Sequence, residues 1–263
     1  MIDHEVRIIC PAIEKAILNR FKTEPILLKK IPFSNHIKKN YQKNYSTYFQ
    51  KAKDIKEIYL RGLPINNKNL FYQQNFEIEE SFINLTRNLG RKINYKLVLH
   101  LPNPDIVSLK DFEKTFTNLK NIHAFELISS WHGNYSDSKK YDKFLSMISE
   151  TKLPLNLEVD YIFRKSLNAP HNFFNIIKKF PDIEYWLPHL GCGIFLHQDK
   201  YLDILKKKPS FLTSTKDSIL WMNLFKMKDF KNTKIKYATD HPFNSNSSLK
   251  IFLNWKKYKF KKK

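Results

Sequence analysis

The chain of 263 residues is poor in several things at once, and each shortage narrows what it can be. It has two cysteines, Cys10 and Cys192, so no disulfide framework holds the fold, and a reducing compartment is the simpler expectation even though a single bridge between the two stays open. No apolar run approaches the roughly 20 residues needed to span a bilayer. The first residues, MIDHEVRIIC, carry charges where a signal peptide carries its apolar segment, which predicts no export and a cytoplasmic protein that does not engage a membrane. Neither a low-complexity linker nor an internal repeat interrupts the chain, so one domain is expected. Acidic residues are also scarce, 25 against 46 lysines and arginines, for a formal charge of +21.

Such a charge raises the question of nucleic acid. However, lysine is abundant together with asparagine, isoleucine, phenylalanine and tyrosine, all products of AT-rich codons. Much of the excess lies on helix faces and in the tail KKYKFKKK, and no motif for reading bases is present. No specific nucleic-acid partner is therefore expected, and the expected partner is a small molecule.

What is present is a regular alternation of short apolar runs with amphipathic stretches. Ile2 to Ile9 reads as a strand, and Pro11 opens a helix through Phe21 with Ile13, Ile17, Leu18 and Phe21 on one face. A basic, aromatic insert follows at about residues 23–53, partly helical, whose Tyr41, Tyr45, Tyr48 and Phe49 form a stripe fit either to cover a site or to dock on the body of the protein. Strands are then predicted at Glu57–Leu60, Tyr95–Leu101, Ala124–Ser129, Pro154–Tyr161, Tyr185–Leu187, Ser210–Ser214 and Tyr237–Asp240. Helices are predicted at Ile78–Leu89, Ser108–Leu119 with Ser108 as its N-cap, Lys139–Ser149, His171–Phe180, Asp199–Lys207, Ser218–Phe230 and Leu249–Tyr258. Alternating strands and helices mean a parallel α/β sheet, and this number of units in a chain near 250 residues closes most naturally into a (β/α)8 TIM barrel. An open doubly wound sheet is the alternative.

In a barrel the carboxyl ends of the strands meet on one face, where catalytic groups collect. The polar residues at those ends are Glu5 and Arg7, Arg61, His100, Trp131 and His132, Glu158 and Asp160, His189, Thr213 and Thr215, and Asp240 and His241. Taken singly, His100, His132 and His241 read as hydrogen-bonded structural histidines. His189 and Asp240 stand apart. His189 ends the strand of EYWLPHLGCG and is followed by Gly191 and Gly193, which let a loop turn into a helix; Asp240 ends KIKYATD and is closed by Pro242.

Those contexts carry a resemblance. The segment FFNIIKKFPDIEYWLPHLGCG resembles the amidohydrolase superfamily, in its decarboxylase-like branch, where a helix, phenylalanine-proline-aspartate, a strand and a histidine-x-glycine turn follow one another. ATDHPF is similar to that family's last strand, KLPLNLEVD to its fifth and MIDHEVRI to its first. The likeness is thin over the whole chain and specific only in roughly its last 110 residues. It implies a TIM barrel whose members hold a divalent metal such as zinc through two histidines spaced one apart on strand one, a histidine ending strand five and the aspartate ending strand eight. The strand-six histidine acts on substrate.

At those places this chain has Glu5 and Arg7, Glu158, Asp240 and His189, so only the last two match. A guanidinium has no lone pair for a metal, and a shifted pairing through His4 fails because position 6 is Val6. The expectation is a degenerate metal site without cofactor, a divalent metal not being ruled out, in which Arg7 takes the metal's place between Asp240 and Glu5 or Glu158. Two functional readings stand. One is a metal-independent hydrolase or a decarboxylase acting on a small carboxylate-bearing substrate, with Asp240 as base, His189 as acid or polarising group and Arg7 or Arg61 holding a carboxylate. Some branches of the superfamily, the pyrone-dicarboxylate lactonases among them, work without metal. The other is a catalytically inactive barrel acting as a binding or scaffold protein.

Overall fold

The structure, a computed structural model, describes residues 1–23, 41–159, 167, 169–189, 210–213 and 235–238. Its centre is one sheet of eight strands in sequence order, β1 (Ile2–Arg7), β2 (Glu57–Arg61), β3 (Asn94–His100), β4 (Ile122–Leu127), β5 (Leu155–Leu157), β6 (Tyr185–Leu187), β7 (Ser210–Thr213) and β8 (Ile235–Tyr237). Each strand pairs in parallel with the next, and β8 returns to lie against β1. This is the (β/α)8 barrel that the alternation predicts. The described helices are α1 (Pro11–Thr23), α2 (Tyr41–Lys51), α3 (Lys68–Asn88), α4 (Leu109–Asn118), α5 (Asp142–Thr151) and α6 (Pro170–Lys179). The helices predicted at Asp199–Lys207, Ser218–Phe230 and Leu249–Tyr258 lie outside the described residues.

Local chemistry explains where the element boundaries fall. Ser108 caps α4 by accepting from Asp111 N at 3.1 Å, as its sequence position suggests. By contrast α3 starts at Lys68, well before the predicted Ile78. Asn67 is its N-cap and accepts from Leu70 N at 3.1 Å, and the helix buries Leu70, Phe71, Gln74, Ile78 and Phe82 along one face. Gln73, Gln74 and Asn75 interrupt the apolar periodicity there, which hides the first turns from a sequence pattern. Gln74 is buried because its amide clasps the strand end, donating to Leu63 O at 2.9 Å and accepting from Leu63 N at 3.2 Å.

Most of the core lies between the strands and the surrounding helices, while Tyr59, Val98, Ala124, Trp186 and Ala238 form a second apolar layer inside the barrel. His4 stacks on Tyr59 with ring centroids 4.5 Å apart and meets the edge of Trp186 at 5.6 Å. Burial, with Lys236, Arg61 and Lys96 nearby, pushes its pKa down to about 3, so this imidazole is neutral in the folded protein. Strand β1 does not alternate simply. Asp3 pairs with Ile58 but Val6 with Leu60, a bulge that turns His4 and Glu5 both toward the barrel interior and leaves Asp3 on the helix side.

The basic, aromatic insert contributes α2, which docks on the outside of the barrel. Tyr45, Tyr48 and Phe49 are buried, and Phe49 packs edge-on against Phe82 of α3. Arg91 closes the far end of the helix by donating to the carbonyls of Phe49, Lys53 and Ile55.

Gly62, just after β2, has no room for a side chain: a methyl group there would meet Gln74 Oε1 at 2.4 Å and Ile78 Cδ1 at 2.6 Å. Gly62→Ala is expected to cost about 1–3 kcal/mol by overpacking. Urea unfolding should show a lower midpoint at an unchanged slope.

Candidate active site

Along β1 to β5, polar side chains near the carboxyl ends of the strands converge inside the barrel on one carboxylate, that of Glu126 in β4. Its Oε2 accepts from Arg7 Nη1 at 3.1 Å and lies 2.8 Å from His100 Nε2. Its Oε1 accepts from Arg61 Nη1, from Asn156 Nδ2 at 2.6 Å and from Arg7 Nη2 at 3.4 Å. Glu5 adds a second carboxylate, with Oε1 accepting from Arg7 Nη2 at 3.3 Å and lying 3.6 Å from Arg61 Nη1. The guanidiniums are also tied to the backbone, Arg7 Nη1 to Gly62 O at 3.2 Å and Arg61 Nη2 to His4 O at 2.5 Å.

Glu5, Arg61, Glu126 and Asn156 are fully buried, and Arg7 and His100 nearly so. Ionised groups can stand in such a place only if they neutralise one another and are densely hydrogen-bonded, and here two carboxylates meet two guanidiniums. Burial opposes the ionisation of Glu126. Arg61, Arg7 and His100 outweigh it and hold the carboxyl well below the usual carboxylate range.

Of the residues picked out by sequence, the structure brings Glu5, Arg7 and Arg61 together. Among the described residues, Arg7 has carboxylate partners in Glu5 and in Glu126 of β4. Glu158 lies half-buried just past the end of β5, its N–H donating to Leu127 O at 3.2 Å. His189 follows the end of β6, half-buried, with φ of +52°, a left-handed conformation that a residue with a side chain adopts at a cost. Asp240, with Asp160, Thr215 and His241, lies outside the described residues, and Thr213 is the last residue of β7. His132 is a structural histidine as expected in one respect, its Nδ1 lying 2.7 Å from Tyr141 Oη.

His100, read from sequence as a hydrogen-bonded structural histidine, lies in the charged cluster beside Glu126, and Glu126 and Asn156 do not stand out in the sequence. A signal for Glu126 existed. It is the one charged residue in the apolar run AFELI, and a carboxylate that deep in a barrel strand demands a cationic partner.

A cavity of about 560 Å³ lies to one side, between α1, the loop after β2 and the turn Ser130–Gly133. Its described lining includes Ile13, Ile17, Leu63, Leu70, Trp131 and His132 and none of the charged cluster, so it adjoins the site without containing the chemistry.

The set of donors speaks to the metal that the family resemblance implies. Arg7 holds one expected ligand position, and Glu5 and Glu126 are already engaged by guanidiniums, so the described residues at β1 do not fit a divalent cation. Among the described residues no group of three or more histidines, cysteines, aspartates or glutamates is placed to hold one. Nor is any described helix long and apolar enough to cross a membrane.

No protein-family model matches this chain, and no curated protein sequence does either. Solved structures match it along nearly its whole length. A 5-carboxyvanillate decarboxylase from Sphingomonas paucimobilis aligns with a TM-score of 0.69 at 10% identity, over 97% of this chain and 92% of that one. The corresponding decarboxylase from Novosphingobium aromaticivorans, in a complex with manganese and 4-hydroxy-3-methoxy-5-nitrobenzoic acid, gives 0.64 at 11% identity, over 95% and 88%. A protein described as amidohydrolase II gives 0.59 at 12%, over 95% and 90%. At these identities the likeness shows the fold, a TIM barrel, shared with proteins described as amidohydrolase II, 2,6-dihydroxybenzoate decarboxylase and 5-carboxyvanillate decarboxylase.

Glu126→Ala would leave Arg7 and Arg61 buried without their shared carboxylate, and is expected to destabilise the protein by about 3–5 kcal/mol. Acid dependence provides a second check. The folded Glu126 carboxyl titrates well below its reference value of 4.5, so its stabilisation is complete above pH 4.5 and is lost as pH falls toward the folded value. In urea titrations Glu126→Gln, which cannot ionise, is expected to flatten the loss of stability below pH 4.5 relative to wild type.

Proposed function

We propose that this chain is a hydrolase or lyase of amidohydrolase type that acts on a small carboxylate-bearing substrate without a divalent metal. The observation that carries this reading is the Arg7 guanidinium bound between Glu5 and Glu126, at the place where the family resemblance expects a metal ligand. The fixed positive charge there does what a dication would do for the surrounding carboxylates. It differs in having no open coordination position, so it cannot activate water as a Lewis acid.

Proton transfer then falls to Asp240 and His189. Asp240, at the end of the eighth strand, removes a proton from water or substrate. His189, at the end of the sixth, polarises the substrate or returns the proton to the leaving group. A cation close to Asp240 would lower its pKa and weaken it as a base, so this reading requires Glu5 and Glu126 to absorb most of the charge of Arg7, and the short contacts to both support it. The left-handed backbone of His189 also favours a working residue, because strain of this kind persists where function maintains it. The structural neighbours named as decarboxylases of 2,6-dihydroxybenzoate and 5-carboxyvanillate make carboxylated aromatics the first compounds to try.

The second reading, an inactive barrel that binds or scaffolds, is favoured by the same network seen from another side. The Nη groups of Arg7 and Arg61 are engaged by carboxylates and backbone carbonyls. A substrate carboxylate would have to compete with them.

Metal analysis of the purified protein, joined to a turnover screen of carboxylated aromatics, lactones and amides, separates the readings. Turnover that survives chelation and falls by about 10²–10⁴-fold in both Asp240→Asn and His189→Gln is expected. Tightly bound stoichiometric metal that turnover needs would refute the metal-free mechanism, and no turnover with folded wild type on any class would leave the inactive barrel.

A further inference from the structure

The strands run in order from β1 to β8, and the barrel closes at the seam where β8 lies against β1. Glu5 and Arg7 stand on the β1 side of this seam, and Tyr237 ends β8 on the other. Across the seam one side chain bridges the two strands. Tyr48 of α2 donates its hydroxyl to Asp3 Oδ2 on β1 at 2.7 Å, and Tyr48 Oη lies 3.3 Å from Tyr237 Oη on β8.

Tyr48, Asp3 and Tyr237 are all buried. Asp3 is tied in turn to its own strand, Oδ1 accepting from Glu5 N at 3.1 Å, and so connects the clasp to the backbone of a site residue. One helical turn earlier, Tyr45 donates to the carbonyl of Arg7 at 2.5 Å. The helix that presents both tyrosines is itself immobilised by Phe49 against Phe82 and by Arg91 on its final carbonyls.

We propose that Tyr48 is a positioning residue, which with Tyr45 fixes β1, the strand that carries Glu5 and Arg7, against β8 through α2. This deepens the functional reading above and rests on it for its catalytic consequence, but its structural content can be tested alone. The insert then has a defined role, clasping the barrel seam from outside with no need to reach substrate. The hydroxyls of Tyr48 and Tyr237 are suited to this because burial and the Asp3 carboxylate hold both pKa values well above the ordinary tyrosine value, so they stay protonated donors.

Amide hydrogen exchange on the full chain is the test, comparing wild type with Tyr48→Phe and, for the opposite end of the clasp, Tyr237→Phe. Both substitutions keep the ring and remove only the hydroxyl. Exchange about tenfold faster at the amides of β1 and β8, with β3 to β5 unchanged, is expected, the scale of one buried hydrogen bond. Equal acceleration in every strand, or none at the seam, would overturn the proposal. Once a substrate is in hand, Tyr48→Phe should lower kcat about tenfold with KM unchanged. A change in KM alone would also count against positioning. Because exchange needs no turnover, an inactive protein refutes the functional reading without touching this result.

Discussion

Glu126 is the interaction on which the centre of this barrel depends. A single buried carboxylate accepts from Arg7, Arg61 and Asn156, lies against His100, and so joins groups from β1 through β5. Two guanidiniums so close together in an apolar interior repel each other and are costly to desolvate. Only a carboxylate between them, with Glu5 alongside, makes the arrangement tolerable. Bidentate contact also gives Arg7 a fixed plane, which a lysine in the same position would lack.

Under the proposed function, this chain is a barrel of amidohydrolase type that works without metal chemistry. Removing a dication from carboxylate ligands leaves negative charge that must be cancelled, and in this chain the cancelling charges are covalently part of the protein. What is lost is the open coordination position. Under the proposed function the remaining chemistry is proton transfer by side chains at the ends of β6 and β8, with Arg7 as a fixed electrostatic partner. The precision of such a site depends on how the β1 and β8 sides are held, and a helix outside the barrel holds them.

Much of the fold was legible because its code is local. Pro11 and Ser108 mark helix starts, Tyr185 to Leu187 is bounded by turn residues, and the alternation of short strands with helices leaves few topologies open. The site was legible where residues sit at strand ends: Glu5, Arg7 and Arg61 were found and do meet. Glu126 is absent from the strand-end set, and His100, though in it, is not tied there to a carboxylate, for a physical reason. Strand-end position says that a side chain reaches the mouth of the barrel, but it does not say which of several such side chains share a charge. That depends on strand register, on the bulge between Asp3 and Val6 and on the depth of each residue below the rim.

The insert shows the same division. Its sequence shows a stripe of aromatics at helical spacing, and periodicity alone leaves docking and covering both open, with docking the commoner fate of such a stripe. The structure decides it, because a tyrosine hydroxyl finds a partner only when another strand brings one within reach, as Asp3 and Arg7 O do for Tyr48 and Tyr45. By itself the sequence determined the parallel barrel and the identity of the polar groups that its strands would deliver, since both follow from short-range periodicity. Only the tertiary structure decided that Arg7 is held by Glu126, because pairing between charges far apart in the chain is set by where the closed sheet puts them.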